Sequence, residues 1–214
     1  MKALRICFVG DSLTAGTFDD EYLGWPGRVC QAERARGHDI TAYNLGIRSD
    51  TSELISNRWR RECEGRLPEV FDGRIFLSFG ENDAAMLPNG DVRVSLDLSV
   101  SIARKMLAEV SGWRPTLWMG PIPTPDARQP FRLSSEIAYY FDNARTAQYN
   151  KAYRKLATEV GVPYLDLFSA LSNDRDWAVI QHEEGDGVHP PARGYARIAE
   201  VVQSWAPWRQ WLED

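Results

Sequence analysis

Leu4-Arg5-Ile6-Cys7-Phe8-Val9, followed at once by Gly10-Asp11-Ser12-Leu13-Thr14-Ala15-Gly16, decides how the rest of the chain is read. The first six residues form a short run of mainly apolar, β-branched and aromatic side chains. Such a run predicts a strand covered on both faces, as in a parallel sheet. It stops at Gly10. Ligands of open parallel sheets bind beyond the carboxyl ends of the strands, so a hydroxyl at residue 12 falls at the edge where chemistry belongs. The flanking glycines permit tight turns, and a helical turn after the strand would aim free N–H groups at developing negative charge. Taken alone, the block also reads as a plain helix-capping turn.

Outward from this stretch the same strand-then-helix rhythm repeats. Strands are expected at Ile40–Leu45, Arg74–Phe79, Thr116–Met119 and Pro163–Leu167. Helices are expected at Trp25–Arg36, with Val29, Ala32 and Ala35 inward, and at Thr51–Glu64, with Leu54, Ile55, Arg58 and Trp59 on one face. Further helices are expected at Asp91–Val110, with the stripe Leu98, Ile102, Met106 and Val110, at Asp142–Val160, and at Ala192–Trp211, where Pro207 should bend or restart the helix. Alternating elements imply βαβ units, hence an α/β fold: a three-layer α/β/α sandwich around a five-stranded parallel sheet. No linker or repeat divides the chain, so residues 1–214 are expected to form one domain. The irregular stretches are Ala84–Gly90, Pro121–Ser135 and Ser172–Gly187.

Composition removes several classes of function. With 43% hydrophobic and 26% charged residues among 214, the chain is neither disordered nor fibrous nor a disulfide-rich mini-protein. Lys and Arg number 25 against 30 Asp and Glu, a net charge of −5. With no basic tract, nucleic-acid binding is not expected. No apolar run approaches the ~20 residues of a membrane span. Cys7, Cys30 and Cys63 are widely spaced and include no C-x-x-C pair. They read as packing residues in a reducing, cytoplasmic setting. Met1–Lys2 leads straight into the first strand with no apolar leader. No His/Asp/Glu cluster has metal-ligand spacing, so neither metal nor cofactor is expected.

Three further blocks carry chemistry. Asp186-Gly187-Val188-His189 puts a carboxylate one turn before an imidazole, so that Asp186 can accept the Nδ1 proton and leave Nε2 as a base. Gly80-Glu81-Asn82-Asp83 follows the third strand and offers an amide donor. Asn44-Leu45-Gly46 ends the second strand, where a glycine N–H can approach a substrate closely. His38 and His182 sit in polar surroundings and read as solvated residues. Trp205, Trp208 and Trp211 recur every third residue and read as core packing of the last helix, or as an exposed stripe at a homo-oligomer interface.

In order and spacing the four blocks resemble the SGNH or GDSL hydrolases across nearly the whole chain: GDSL at Gly10–Leu13, Gly46, G-x-N-D at Gly80–Asp83 and D-x-x-H at Asp186–His189. The departure is Ile47-Arg48-Ser49-Asp50, where many relatives have a further glycine. The resemblance implies a flavodoxin-like sandwich and a serine hydrolase acting on small acyl esters or thioesters. It casts Ser12 as nucleophile, His189 as base and Asp186 as its partner. It builds an oxyanion hole from the Ser12 and Gly46 N–H groups and the Asn82 amide, with Asp11 and Asp83 as supports. An acyltransferase using the same residues, and a flavin- or nucleotide-binding module on the same fold, are the competing readings. The loops expected to rim the site carry few large apolar groups, which points to short acyl chains of no more than about six to eight carbons.

Overall fold

The computed structural model describes residues 3–213; Met1 and Lys2, where no leader is expected, and Asp214 lie outside them. The chain runs β1 (Ala3–Gly10), α1 (Ser12–Ala15), α2 (Gly24–Ala35), β2 (Asp39–Gly46), α3 (Ser52–Glu64), β3 (Asp72–Ser78), α4 (Glu81–Ala84), α5 (Leu96–Trp113) and β4 (Thr116–Met119). It continues with a small hairpin, β5 (Phe131–Arg132) and β6 (Ala138–Tyr139), then α6 (Asn143–Val160), β7 (Tyr164–Leu165), α7 (Leu167–Ser172) and α8 (Arg175–Val179). A π-helical turn over Ile180–Glu184 precedes α9 (Ala192–Ser204) and α10 (Ala206–Glu213). The main sheet is five-stranded and parallel, in the order β2-β1-β3-β4-β7. This is the flavodoxin-like order, whose direction of winding reverses between β1 and β3.

Alternation along the strands builds the two cores. Leu4, Ile6 and Phe8 of β1, Phe76 of β3, and Leu117 and Met119 of β4 face one helical layer, where they meet Trp25 and Val29 of α2, Ile198 and Val202 of α9, and Trp208 of α10. Cys7, Val9, Ile75, Leu77 and Trp118 face the other, against Ile55 and Trp59 of α3, Met106 and Val110 of α5, and Tyr153 of α6. Both faces are buried, which is why β1, β3 and β4 read as nearly continuous apolar runs. Register matters for the site: Gly10 pairs with Gly46 on one side and Ser78 on the other. The loops leaving β1, β2 and β3 therefore start side by side at one level.

Several expected elements shift. In α5 the inward stripe is Ser99, Ala103, Met106 and Val110, while Leu98 is half exposed. The helix is turned so that the Ser99 hydroxyl meets Asp83 and Tyr153. In α2 the inward positions are Trp25, Val29 and Glu33 rather than Ala32 and Ala35, because the Glu33 carboxylate is tied to Arg209 of α10 at 2.5 Å. The fifth strand is two residues long, and Leu167 already starts a helix. The last helix breaks at Trp205, and α10 begins just before Pro207. The tryptophans of this tail pack inward: Trp208 and Trp211 lie about 6 Å from the Phe76 ring, and Trp205 is only partly covered.

Candidate active site

Asp11 closes the turn after β1 by capping α1, its Oδ1 accepting the Leu13 N–H at 2.9 Å. That turn sets Ser12 at the first position of the short helix, where an N–H has no intrahelical acceptor. On the far side of the site, Asp186 Oδ1 accepts the N–H groups of Val188 (2.9 Å) and His189 (2.7 Å), folding the D-x-x-H segment into a tight loop. The same carboxylate receives His189 Nδ1 on Oδ2 at 2.8 Å, and His189 Nε2 lies 2.8 Å from Ser12 Oγ. Asp186, His189 and Ser12 thus form one unbroken hydrogen-bonded series. Burial opposes charge on Asp186, but the His189 ring and the two backbone N–H groups outweigh it and hold its carboxyl below the ordinary range. A charged Asp186 fixes the tautomer of His189 and stabilises an imidazolium.

The block after β3 contributes the third side. Gly80 sits at φ +123°, and a Cβ there would stand 2.5 Å from the Tyr153 ring, so the first position of G-x-N-D tolerates only glycine. Asp83 accepts the Ser52 N–H (2.7 Å) and the Ser99 hydroxyl (2.5 Å), anchoring this turn to α3 and α5. Asn82 then faces Ser12 and His189 across a small cavity also lined by Arg48, Ser49, Glu81 and an apolar wall of Phe131, Leu133, Tyr139, Phe141 and Val188. Asn82 Nδ2 donates to Asp11 Oδ2 at 3.1 Å. A primary amide has two N–H bonds, so one remains for the cavity.

Gly46 is not where the sequence reading put it. Its N–H donates to Asn44 Oδ1 at 3.0 Å, and a Cβ on it would lie 2.2 Å from the Ala15 nitrogen. The glycine lets α1 rest on the end of β2; it does not line the cavity. Ser49 does, three residues on, in the left-handed conformation at φ +66°. No acceptor is found for its N–H among the described residues. A serine in a conformation that favours glycine costs roughly 1–2 kcal/mol. The signal available from sequence was the missing glycine in Ile47–Asp50, the one departure from the family pattern. The stretch Thr124–Ser135, with Phe131 and Leu133, was expected as a rim loop; that it folds with Ala138–Tyr139 into the hairpin β5–β6 was not. The Phe131 ring stands edge-on to His189 at 5.5 Å, and Gln129 Nε2 donates to the Gly187 carbonyl, tying the hairpin to the histidine loop.

Two buried carboxyls flank the site. Burial, partly offset by the Leu13 N–H, His189 and Asn82, pushes Asp11 up to about 6. Burial pushes Glu81 up to about 8, against a hydrogen bond from the Ile122 N–H and with added repulsion from Asp11. At neutral pH Glu81 therefore holds a proton that the unfolded chain has released. Folding takes up that proton, so this residue's contribution to stability falls as pH rises from the ordinary glutamate value to about 8, then levels off. Glu81→Gln keeps the Ile122 contact and removes the titration. Urea unfolding from pH 5 to 9 is expected to show the variant gaining on the parent across this window. Parallel pH profiles for the two chains would refute a protonated Glu81.

A hydroxyl, an imidazole and a carboxylate in series, beside an amide donor at the switch point of a parallel sheet, is the layout of an acyl hydrolase. The chain belongs to the GDSL-like lipase/acylhydrolase family, whose model matches residues 8–197, and it is accordingly a carboxylic ester hydrolase. In fold it is similar to a lipase/acylhydrolase from Enterococcus faecalis, with a TM-score of 0.73 and 21% identity over 98% of this chain and 97% of that one. It is also similar to an acetylxylan esterase from Geobacillus stearothermophilus (TM-score 0.69, 17% identity, 97% of each chain). A psychrotrophic esterase from Pseudoalteromonas gives a TM-score of 0.69 at 14% identity, over 98% of this chain and 99% of that one. Comparison with the curated proteins gives no match. Among the described residues no helix is long and apolar enough to cross a membrane.

Proposed function

We propose that the protein hydrolyses esters of short acyl groups through an acyl-enzyme formed on Ser12. The observation that carries this reading is the series Asp186–His189–Ser12, with both links at 2.8 Å. Ser12 Oγ attacks the ester carbonyl while His189 Nε2 takes its proton, because a serine hydroxyl is a weak nucleophile unless a base removes that proton. Asp186 steadies the imidazolium. The tetrahedral oxyanion is met by the Ser12 N–H, the free Asn82 N–H and the Ser49 N–H, which takes the place first expected of Gly46. His189 then protonates the departing alkoxide, the acyl group stays on Ser12, and water repeats the cycle to release the acid. Three free cysteines, with Cys7 and Cys63 buried in the core, suit a reducing compartment. On that ground we place the protein in the cytoplasm.

Acyl size follows from the cavity. Its free interior is only about 10 Å³, room for about one water molecule, and Phe131, Tyr139 and Phe141 line one side of it. A small acyl group such as acetyl is the best match to so little free space. The acetylxylan esterase of similar fold is, by its name, an enzyme of acetyl esters. Each methylene that finds a matching pocket adds about 0.8 kcal/mol, or about fourfold, and here that gain should be missing. In a series of nitrophenyl esters, kcat/KM is expected to peak at acetyl or propionyl and to drop at least about tenfold by octanoyl. A steady rise through octanoyl would reject the short-acyl assignment.

A further inference from the structure

Arg93 lies between α4 and α5, outside all four motif blocks. Its two terminal nitrogens reach loops that are distant in sequence. Nη1 donates to Asn82 Oδ1 at 2.9 Å, and Nη2 donates to the Ser49 carbonyl at 2.7 Å. Its guanidinium also stands 4.6 Å over the Tyr139 ring on the cavity wall. Its own N–H donates to the Ala85 carbonyl, which ties its backbone to the turn that carries Asn82.

We propose that Arg93 is the positioning residue of the oxyanion hole, holding Asn82 and Ser49 at a fixed separation and fixing which end of the Asn82 amide faces the substrate. The proposal rests on the hydrolase reading above. Arginine has donors only, so the Asn82 atom it touches must be the carbonyl oxygen. Asp11 Oδ2, on the other side, accepts a hydrogen bond from the amide nitrogen. The two neighbours thus agree on one orientation, and the remaining N–H is left for the cavity. Reversing the amide would set its nitrogen against the guanidinium and its oxygen against the Asp11 carboxyl, losing both bonds. A cation on the carbonyl oxygen also polarises the amide and strengthens its N–H as a donor. On the Ser49 side, the bond to a main-chain carbonyl holds a loop whose backbone is already in an unfavoured conformation. A planar fork can bridge two carbonyl oxygens on separate loops, whereas a lysine ammonium is a single point charge. Such an arrangement serves a group that must be in place before charge develops.

The test is steady-state kinetics of Arg93→Ala, Arg93→Lys, Asn82→Ala and the Arg93→Ala/Asn82→Ala double variant on a nitrophenyl acetate, with active sites counted by fluorophosphonate labelling. Arg93→Ala is expected to lower kcat per labelled site by roughly 10- to 100-fold with KM nearly unchanged, less than the ~10²–10³ of Asn82→Ala. Arg93→Lys should recover only part of this. Added guanidinium ion at low millimolar concentration should restore kcat to Arg93→Ala without altering KM. The double variant should be slower than Asn82→Ala alone by clearly less than the loss of Arg93→Ala in the parent, because Arg93 acts partly through the Asn82 side chain and partly through Ser49. Unchanged kcat, a change confined to KM, or losses that multiply in the double variant would each overturn the proposal. Counting labelled sites separates a slow enzyme from a partly unfolded one. If the Ser12→Ala protein turns over ester at the parent rate, the hydrolase reading fails instead, a result that the Arg93 variants cannot mimic.

Discussion

Ser12→Ala is expected to lower kcat by about 10⁴-fold or more while leaving the fold and the thermal midpoint nearly unchanged. The cap of α1 is the Asp11 side chain, and Ser12 is small, so its loss of one oxygen leaves little space behind. Among the described residues its hydroxyl is engaged by His189 alone, on the surface of the cavity. Removing one oxygen leaves the carbonyl with no attacking atom held in place, and the residual rate comes from the oxyanion donors and binding alone. Circular dichroism and a melting curve beside the kinetic assay would check both halves of the statement. Ester turnover at the parent rate by a homogeneous variant would sink the proposed mechanism.

His189→Ala should cost about as much, again roughly 10⁴-fold or more, and the two losses should not multiply. The imidazole is almost fully buried between Ser12, Asp186 and the edge of Phe131. Its removal leaves Ser12 without a proton acceptor and the Asp186 carboxylate without its main partner. That second effect adds a modest loss of stability absent from Ser12→Ala, since among the described residues the charged carboxyl keeps only the backbone N–H groups of residues 188 and 189. The informative measurement is the double variant Ser12→Ala/His189→Ala, expected to be about as slow as either single variant. A double variant slower by the product of the two single losses would mean that the residues act in separate steps.

How much of this was legible in sequence differs from element to element. β1, β3 and β4 were readable because burial on both faces removes the polar positions that would break their runs. The first and last site blocks were readable because a carboxylate in each works locally: Asp11 caps the turn it stands in, and Asp186 binds the N–H groups two and three residues on. The inward face of α5 was not readable, because Ser99 is buried for a partner on another element, Asp83, and polarity alone argues against burying it. That Ser49 and not Gly46 lines the cavity escaped the sequence for a similar reason. Glycine signals a close approach but not which neighbour comes close, and a serine at positive φ leaves no mark in composition. Arg93 sits among ordinary polar residues, and nothing local shows that its two ends reach residues 11 and 44 positions away.

The link between Ser12 and His189 joins residues 177 positions apart in the chain, and that separation bears on biosynthesis. A ribosome delivers Ser12 a full 177 residues before the imidazole that, in the proposed mechanism, activates it. On that mechanism a nascent polypeptide that has not yet reached His189, however well its early strands pair, is chemically silent. Contacts of such long range also form late, after the entropy of closing the intervening loop has been met. The appearance of esterase activity during translation or refolding therefore times the closing event of assembly, and an ester in the assay mixture serves as a clock for it.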